Sequence, residues 1–299
     1  MNNVQGILLI VLAMAGFTLE DMFIKALSSS LATGQILIGL GIGSSLIFAI
    51  TATLKGQNLF ARTAWRAPLL WRAASEGFAA MFFASALALV DISTVAAVFQ
   101  ALPLVLTMGA ALFLGEQVGW RRWSAIGIGF IGVLMIIRPG FEGFQPATLL
   151  VLVAVVAVVA RDLITRRIDA AVSSYVVSFQ GFASLIIAGG LMLAFTGTPL
   201  AAIDSAQSGM FAGAIVFGAL GYLGIVIAMR VGEASVVAPF RYTRLVFSML
   251  VGVFVFSERP DLPTLLGSGL IIATGLYTFL RERRLSRPVA EPQAEFPQD

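Results

Sequence analysis

Ten runs of apolar residues, bounded by glycine, proline or clustered charge, divide the chain. They are Gly6 to Leu27, Thr33 to Leu54, Leu69 to Val90, Ser93 to Leu114, Trp120 to Ile137, Ala147 to Ile168, Ser173 to Thr196, Ser208 to Arg230, Ala234 to Phe256 and Pro263 to Leu280. Each is close to the length of about 20 residues that an α-helix needs to cross a bilayer. None shows the strict alternation of a half-buried strand. The pattern predicts ten transmembrane helices joined by short loops. Beyond them, Arg281 to Asp299 mixes charges with Pro288, Pro292 and Pro297 and reads as a solvated, disordered tail.

A second regularity lies along the chain. Sliding the sequence by 142 positions superposes Asp91 on Glu233, Ser93 on Ser235, Val95 on Val237, Ala96 on Ala238, Glu116 on Glu258 and Gly127 on Gly269. Each stretch runs through one span to an acidic residue and then into a glycine-rich span. The chain therefore divides into five-helix repeats, residues 1–143 and 144–282, with residues 283–299 as a cytoplasmic tail. Five is odd, so the second copy enters the membrane reversed. The fold class expected is an all-α membrane protein of two inverted repeats around a central cavity.

Composition agrees: 59% of residues are hydrophobic and 12% charged. A mean hydropathy of +0.95 is incompatible with a soluble globule. Cysteine and histidine are both absent, which removes disulfides, thiolate or imidazole metal sites and His-activated nucleophiles. No metal site or cofactor is expected. The net charge of +3 does not signal nucleic acid, because the basic residues are sorted by loop. With a cytoplasmic N-terminus, 13 of the 19 Lys and Arg fall in cytoplasmic segments. Only Lys25, Arg138 and Arg259 fall on the opposite side, which places both termini inside a bacterial inner membrane.

The motif Ala101-Leu-Pro-Leu, then Leu114-Gly-Glu-Gln and Gly127, Gly129 and Gly132, has a reduced second copy at Ser257-Glu-Arg with Gly267, Gly269 and Gly275. This arrangement resembles the drug/metabolite transporter superfamily, specifically its EamA-type ten-helix carriers, including the aromatic amino-acid exporter branch. The resemblance spans residues 5–282 and implies that spans one, three, four, six, eight and nine line a cavity. Two departures stand out: Leu245 takes the place of Pro103, with the proline moved to Pro239, and Ser257 replaces the glycine before the acid. Helix nine is accordingly expected to bend at a different depth from helix four.

An ionisable group at the centre of a span costs about 2.5–3.5 kcal/mol to insert, so such groups are candidates for function. They are Glu20 and Asp21 in span one, Glu76 in span three, Arg161 and Asp162 in span six, and Arg241 and Arg244 in span nine. Arg241 and Arg244 share a helical face, and a guanidinium suits a carboxylate or phosphate. Their alternative role is an internal ion pair with Glu76 or Glu20. Glu76 has Arg72 one turn away, Asp21 has Lys25 and Asp162 has Arg166. Pairing of that kind leaves Glu20 and Arg161 free to face inward.

Gln100, Phe78, Phe82, Phe99, Tyr222 and Tyr242 complete the expected substrate site, with Pro103 and Pro239 as hinges. The glycine clusters read as helix-packing seams, since neither follows a strand or carries a phosphate-loop lysine.

The function expected is secondary transport of a small molecule, most simply export of an amino acid or related metabolite by alternating access. Import of riboflavin, S-adenosylmethionine or a nucleotide-linked metabolite is the alternative. An integral-membrane enzyme acting on lipid head groups is a more distant one, so the chain is expected not to be an enzyme. Its partners are the substrate and the lipid bilayer, as a monomer or homodimer.

Overall fold

The computed structural model describes residues 2–168, 172–232 and 234–285. The described chain is helical. Its elements are α1 (Asn3–Leu27), α2 (Thr33–Leu54), α3 (Ala67–Leu89), α4 (Ile92–Phe99), α5 (Leu102–Leu114), α6 (Trp120–Ile137), α7 (Leu149–Thr165), α8 (Ser174–Thr196), α9 (Ser205–Val231), α10 (Ala234–Val237), α11 (Thr243–Phe256) and α12 (Leu262–Leu285). Two spans are broken, α4 with α5 and α10 with α11. Nine segments among the described residues are long and apolar enough to cross a membrane. The tenth, α3, has the length but carries Arg72 and Glu76. Helix α12 continues through Leu285, so the tail expected from residue 283 starts later, and residues 286–299 lie outside the described residues.

Local chemistry sets the helix ends. The Asn2 side chain accepts from the Gln5 amide at the start of α1, and Asp204 and Gln207 form a reciprocal capping box at the start of α9. Gly115 ends α5 and Ser257 ends α11, both in left-handed conformation, with φ of 71° and 56°. In each turn the following acid's amide bonds back six residues, Glu116 to Ala110 and Glu258 to Gly252. The serine therefore keeps the turn that glycine makes easily, at a conformational cost of about 1 kcal/mol.

The broken spans bear on the expected difference between helices four and nine. The first break falls at Gln100 and Ala101, after which Pro103 occupies the first turn of α5, where a missing N–H does no harm. In the second copy a 3-10 turn at Ala238–Tyr242, containing Pro239, leads into α11 at Thr243. Adding the repeat offset to Gln100 and Ala101 gives Tyr242 and Thr243. The two spans resume α-helix within one residue of the same repeat position, but the second leaves it after Val237, four repeat positions before the first leaves it after Phe99.

Helix pairing is unchanged when the halves are exchanged. Helix α1 packs on α9 as α3 packs on α7, while α2 packs on α8, α4 on α11 and α6 on α12, each with its own repeat counterpart. Small residues set some of these approaches. A methyl on Gly132 of α6 would sit 2.7 Å from the Gly267 carbonyl of α12, so the two backbones touch. In α2, Gly39, Gly41 and Gly43 likewise abut Phe211, Ile186 and Ile215. Ile92, Val95 and Val98 of α4 are fully buried in the largest apolar cluster.

Candidate functional site

Three groups of charged side chains lie within or at the ends of the helices. The first joins α1 to α11: Arg244 Nη2 is 2.7 Å from Asp21 Oδ2, and Asp21 is only 5% exposed. The guanidinium carbon also stands 5.3 Å from the Phe17 ring centroid, 5.8 Å from Phe83 and 5.6 Å from Phe99. Phe17 and Asp21 are one helical turn apart on α1. Nearby, the Thr18 hydroxyl donates to the Met14 carbonyl and lies 3.4 Å from the Ser248 hydroxyl, holding α1 against α11. The expected partner of Arg244 was Glu76 or Glu20; it is Asp21, because α1 turns its Phe17–Asp21 face toward α11.

The second group joins α3 to α7. Arg161 lies 2.7 Å from Glu76 and 2.8 Å from Asp162, and Arg72 lies 3.6 Å from Glu76. Arg72 also donates to the Thr165 hydroxyl at 3.1 Å. Arg161 was expected to be free because Asp162 would take Arg166. Instead Arg166 reaches Glu116 at 2.7 Å near the surface, and Arg161 holds two carboxylates.

The third group joins the end of α11 to the start of α4 and to α1. Glu258 Oε1 accepts from the Ile92 amide at 2.7 Å, and Oε2 accepts from the Ser93 amide and hydroxyl at 3.1 and 2.6 Å. Lys25, expected to pair with Asp21, instead donates to the Val90 and Leu87 carbonyls and stands 3.9 Å from Glu258. Its ammonium instead satisfies the otherwise unpaired carbonyls that end α3, on the buried residues Leu87 and Val90. Asp91 begins α4 without capping it. Burial and then the Glu258 charge push the Asp91 carboxyl above its usual range, against the pull of Lys25. At the same end, Arg138 pairs with Asp261 and, with the Thr264 hydrogen bond, holds that carboxyl down to about 2.

Two ionisable groups stand apart from these pairs. Glu20 has neither a hydrogen bond nor an ion pair among the described residues, and its carboxylate rests over Gly218 of α9. Arg241 likewise has neither; it is exposed, with Asp162, Arg244 and Arg161 as its charged neighbours. The Gln100 side chain makes no hydrogen bond either among the described residues, and lies at the break of its span.

The remaining expected residues separate. The Tyr222 hydroxyl accepts from the Ser178 hydroxyl at 2.9 Å and its ring meets Phe48 edge-on, which ties α9 to α8 and α2. The Tyr242 hydroxyl is turned against Gly275 of α12. The Phe78 and Phe82 rings meet on α3 with centroids 4.6 Å apart and planes tilted by 51°, and Phe78 is nearly half exposed. Phe99 is the expected aromatic that reaches the charged centre. Sequence reasoning missed Phe17 and Phe83; the one-turn spacing of Phe17 from Asp21 was a usable signal, whereas Phe83 had none.

Residues 4–138 and 145–280 each match the EamA-like transporter family. A Rickettsia conorii protein named an S-adenosylmethionine uptake transporter is 28% identical over 213 residues, 69% of each chain. A riboflavin transporter of Rhizobium johnstonii is 30% identical, over 64% of this chain and 65% of its own. A pseudopaline exporter of Pseudomonas aeruginosa is 25% identical, over 90% of this chain and 93% of its own. These relatives are named for uptake and for export alike, and all are named for transport. With ten helical spans among the described residues and both halves matching one family model, the chain belongs to the EamA-like transporter family of multi-pass membrane proteins.

Proposed function

We propose that the protein is a secondary carrier for a metabolite bearing an amino-acid group, S-adenosylmethionine being the first to test, in a bacterial inner membrane with both termini cytoplasmic. The observation that carries this reading is the pair of unmatched intramembrane charges, Arg241 from the second half and Glu20 from the first. A charge within a bundle remains without a protein partner at considerable cost unless water or a ligand meets it. Arg241 suits the substrate carboxylate, and Glu20, with Asp21 beside it, supplies the negative charge that a cationic substrate needs. Gln100 and the faces of Phe82 and Phe99 serve the uncharged body.

Alternating access draws support from the two repeat-related acids. Glu258 is buried and binds the first amides of α4, tying the end of span nine to the start of span four. Its counterpart Glu116 is paired with Arg166 at the exposed surface. The two ends are therefore in different states, as expected of two oppositely inserted halves closed on one side at a time.

The test is uptake of labelled S-adenosylmethionine into proteoliposomes, with and without a pH gradient, in both directions. The parent is expected to move it, and Arg241→Ala and Glu20→Gln to lose most of that flux. Parental flux in both variants would remove the site assignment. Movement of a neutral amino acid or riboflavin, but not S-adenosylmethionine, would replace the substrate. The direction of concentrative flux separates uptake from export.

A further inference from the structure

Arg244 sits in surroundings built like a receptor for a cation. Three aromatic faces and a carboxylate converge on its guanidinium. Aromatic faces with a carboxylate are the chemistry that recognises quaternary ammonium and sulfonium groups. All four walls belong to the first half of the chain: Phe17 and Asp21 on α1, Phe83 on α3 and Phe99 on α4. Their occupant comes from the second half. The walls also hold one another, since the Phe83 and Phe99 rings meet edge to face at 4.9 Å. Arg244 is thus a tenant of the cage more than part of its frame.

We propose that Phe17, Phe83, Phe99 and Asp21 form a binding subsite for an organic cation, sulfonium or quaternary ammonium, which Arg244 fills in the unloaded protein and leaves when substrate enters. The proposal rests on the carrier reading given above and names the group of the substrate that the cage takes.

Displacing Arg244 would strand a guanidinium inside the bundle unless a second seat existed. Glu20 provides it. Glu20 adjoins Asp21 in sequence, lies within electrostatic range of Arg244 and has no ion-pair partner among the described residues. When a substrate cation takes Asp21, Arg244 moves to Glu20, and each carboxylate then faces one cation. Without substrate, Asp21 holds Arg244 and Glu20 is left alone. Binding therefore completes a charge balance that the empty site lacks, while Arg244 acts as a tethered competitor that weakens cation binding by the fraction of time it fills the cage.

The experiment uses the full chain in lipid nanodiscs and radiolabelled tetraethylammonium as a bare cation probe. Parallel measurements use S-adenosylmethionine and S-adenosylhomocysteine, which differ by the sulfonium methyl and its charge. Arg244→Gln is expected to bind tetraethylammonium on the order of tenfold more tightly than the parent. Arg244→Gln with Asp21→Asn is expected to lose that gain. Phe83→Leu and Phe99→Leu, which retain Arg244, are expected to reduce the preference for S-adenosylmethionine over S-adenosylhomocysteine.

Unchanged or weaker tetraethylammonium binding by Arg244→Gln overturns the cage. Should that variant fail to fold, an unaltered sulfonium preference in both phenylalanine variants overturns it equally. Gain of tetraethylammonium binding without any S-adenosylmethionine binding keeps the cage and removes the substrate reading. Parental S-adenosylmethionine transport with no gain in Arg244→Gln does the reverse.

Discussion

Ser93 binds the carboxylate of Glu258 twice, through its amide at 3.1 Å and its hydroxyl at 2.6 Å, across 165 residues of chain. The acid that ends span nine in one half thereby serves as the cap of span four in the other, a position that Asp91 leaves unfilled. Hydrogen bonds to a charged group are worth about 1.5–3 kcal/mol, and a helix cap about 1. Glu258→Ala should therefore lose about 3 kcal/mol and Ser93→Ala about 1, with Glu258→Gln between them. Thermal unfolding in detergent measures the order. Equal loss in all three would mean that the carboxylate's charge is irrelevant.

The preceding residue offers a gain instead. Ser257 adopts φ 56° where its repeat counterpart Gly115 adopts φ 71°, and both turns close the same backbone bond. Since the serine pays for a conformation that glycine reaches freely, Ser257→Gly should stabilise the turn by about 0.5–1 kcal/mol. Thermal unfolding should move upward, whereas Gly115→Ser should move it downward by a similar amount.

Asp91 gives a pH dependence with a definite sign. Its carboxyl is pushed above its ordinary 3.8 by burial and by Glu258, with Lys25 opposing. A raised acid favours its protonated form in the folded protein, so this contribution is fully present below pH 3.8 and is lost as pH rises through the folded value. Asp91→Asn should thus be more stable than the parent at neutral pH, and the gap should close on acidification. A gap independent of pH would assign the effect to packing.

The fold was legible because helix length, the repeat of 142 positions and the glycine seams are properties of the chain itself. The candidate site was legible only as a set of residues. Charged helices could be named, but which charges meet depends on helix rotation, and periodicity does not fix that against a neighbour. The local rule that Lys25 serves Asp21 and Arg166 serves Asp162 failed at both places. Lys25 found the bare carbonyls of α3, Arg166 found Glu116, and the released acids took arginines from other positions. Pro103 and Pro239 suggested hinges at unequal depth, and the second span does leave α-helix earlier, beside Pro239, although both resume it within one residue of the same repeat position.

The Asp21–Arg244 pair is buried enough for its members to depend on each other. Removing one partner of such a pair costs about 3–5 kcal/mol because the other charge is stranded, while removing both costs much less than the sum. Asp21→Asn and Arg244→Gln should each destabilise the protein, Asp21→Asn the more strongly because Arg244 can turn to Glu20 only when ordered there by substrate. The double variant should recover about 2 kcal/mol relative to additivity. Chemical unfolding of the four proteins completes the cycle, and additive losses would show that the two charges do not interact.

Two glycines separate the packing of the bundle from the placing of its site. At Gly132 an added methyl meets the Gly267 carbonyl 2.7 Å away, and since backbone cannot step aside, Gly132→Ala must part α6 from α12. A loss of about 1–3 kcal/mol is expected there. At Gly218 the added methyl would also lie 2.7 Å from its neighbour, but that neighbour is the Glu20 carboxyl at the end of a flexible side chain. Gly218→Ala should therefore leave stability within about 1 kcal/mol of the parent while displacing Glu20 and weakening substrate affinity on the order of tenfold. Paired unfolding and binding measurements distinguish the two positions. If Gly218→Ala binds substrate as the parent does, Glu20 is not in the site; if it unfolds as readily as Gly132→Ala, the α9 glycine serves helix packing after all.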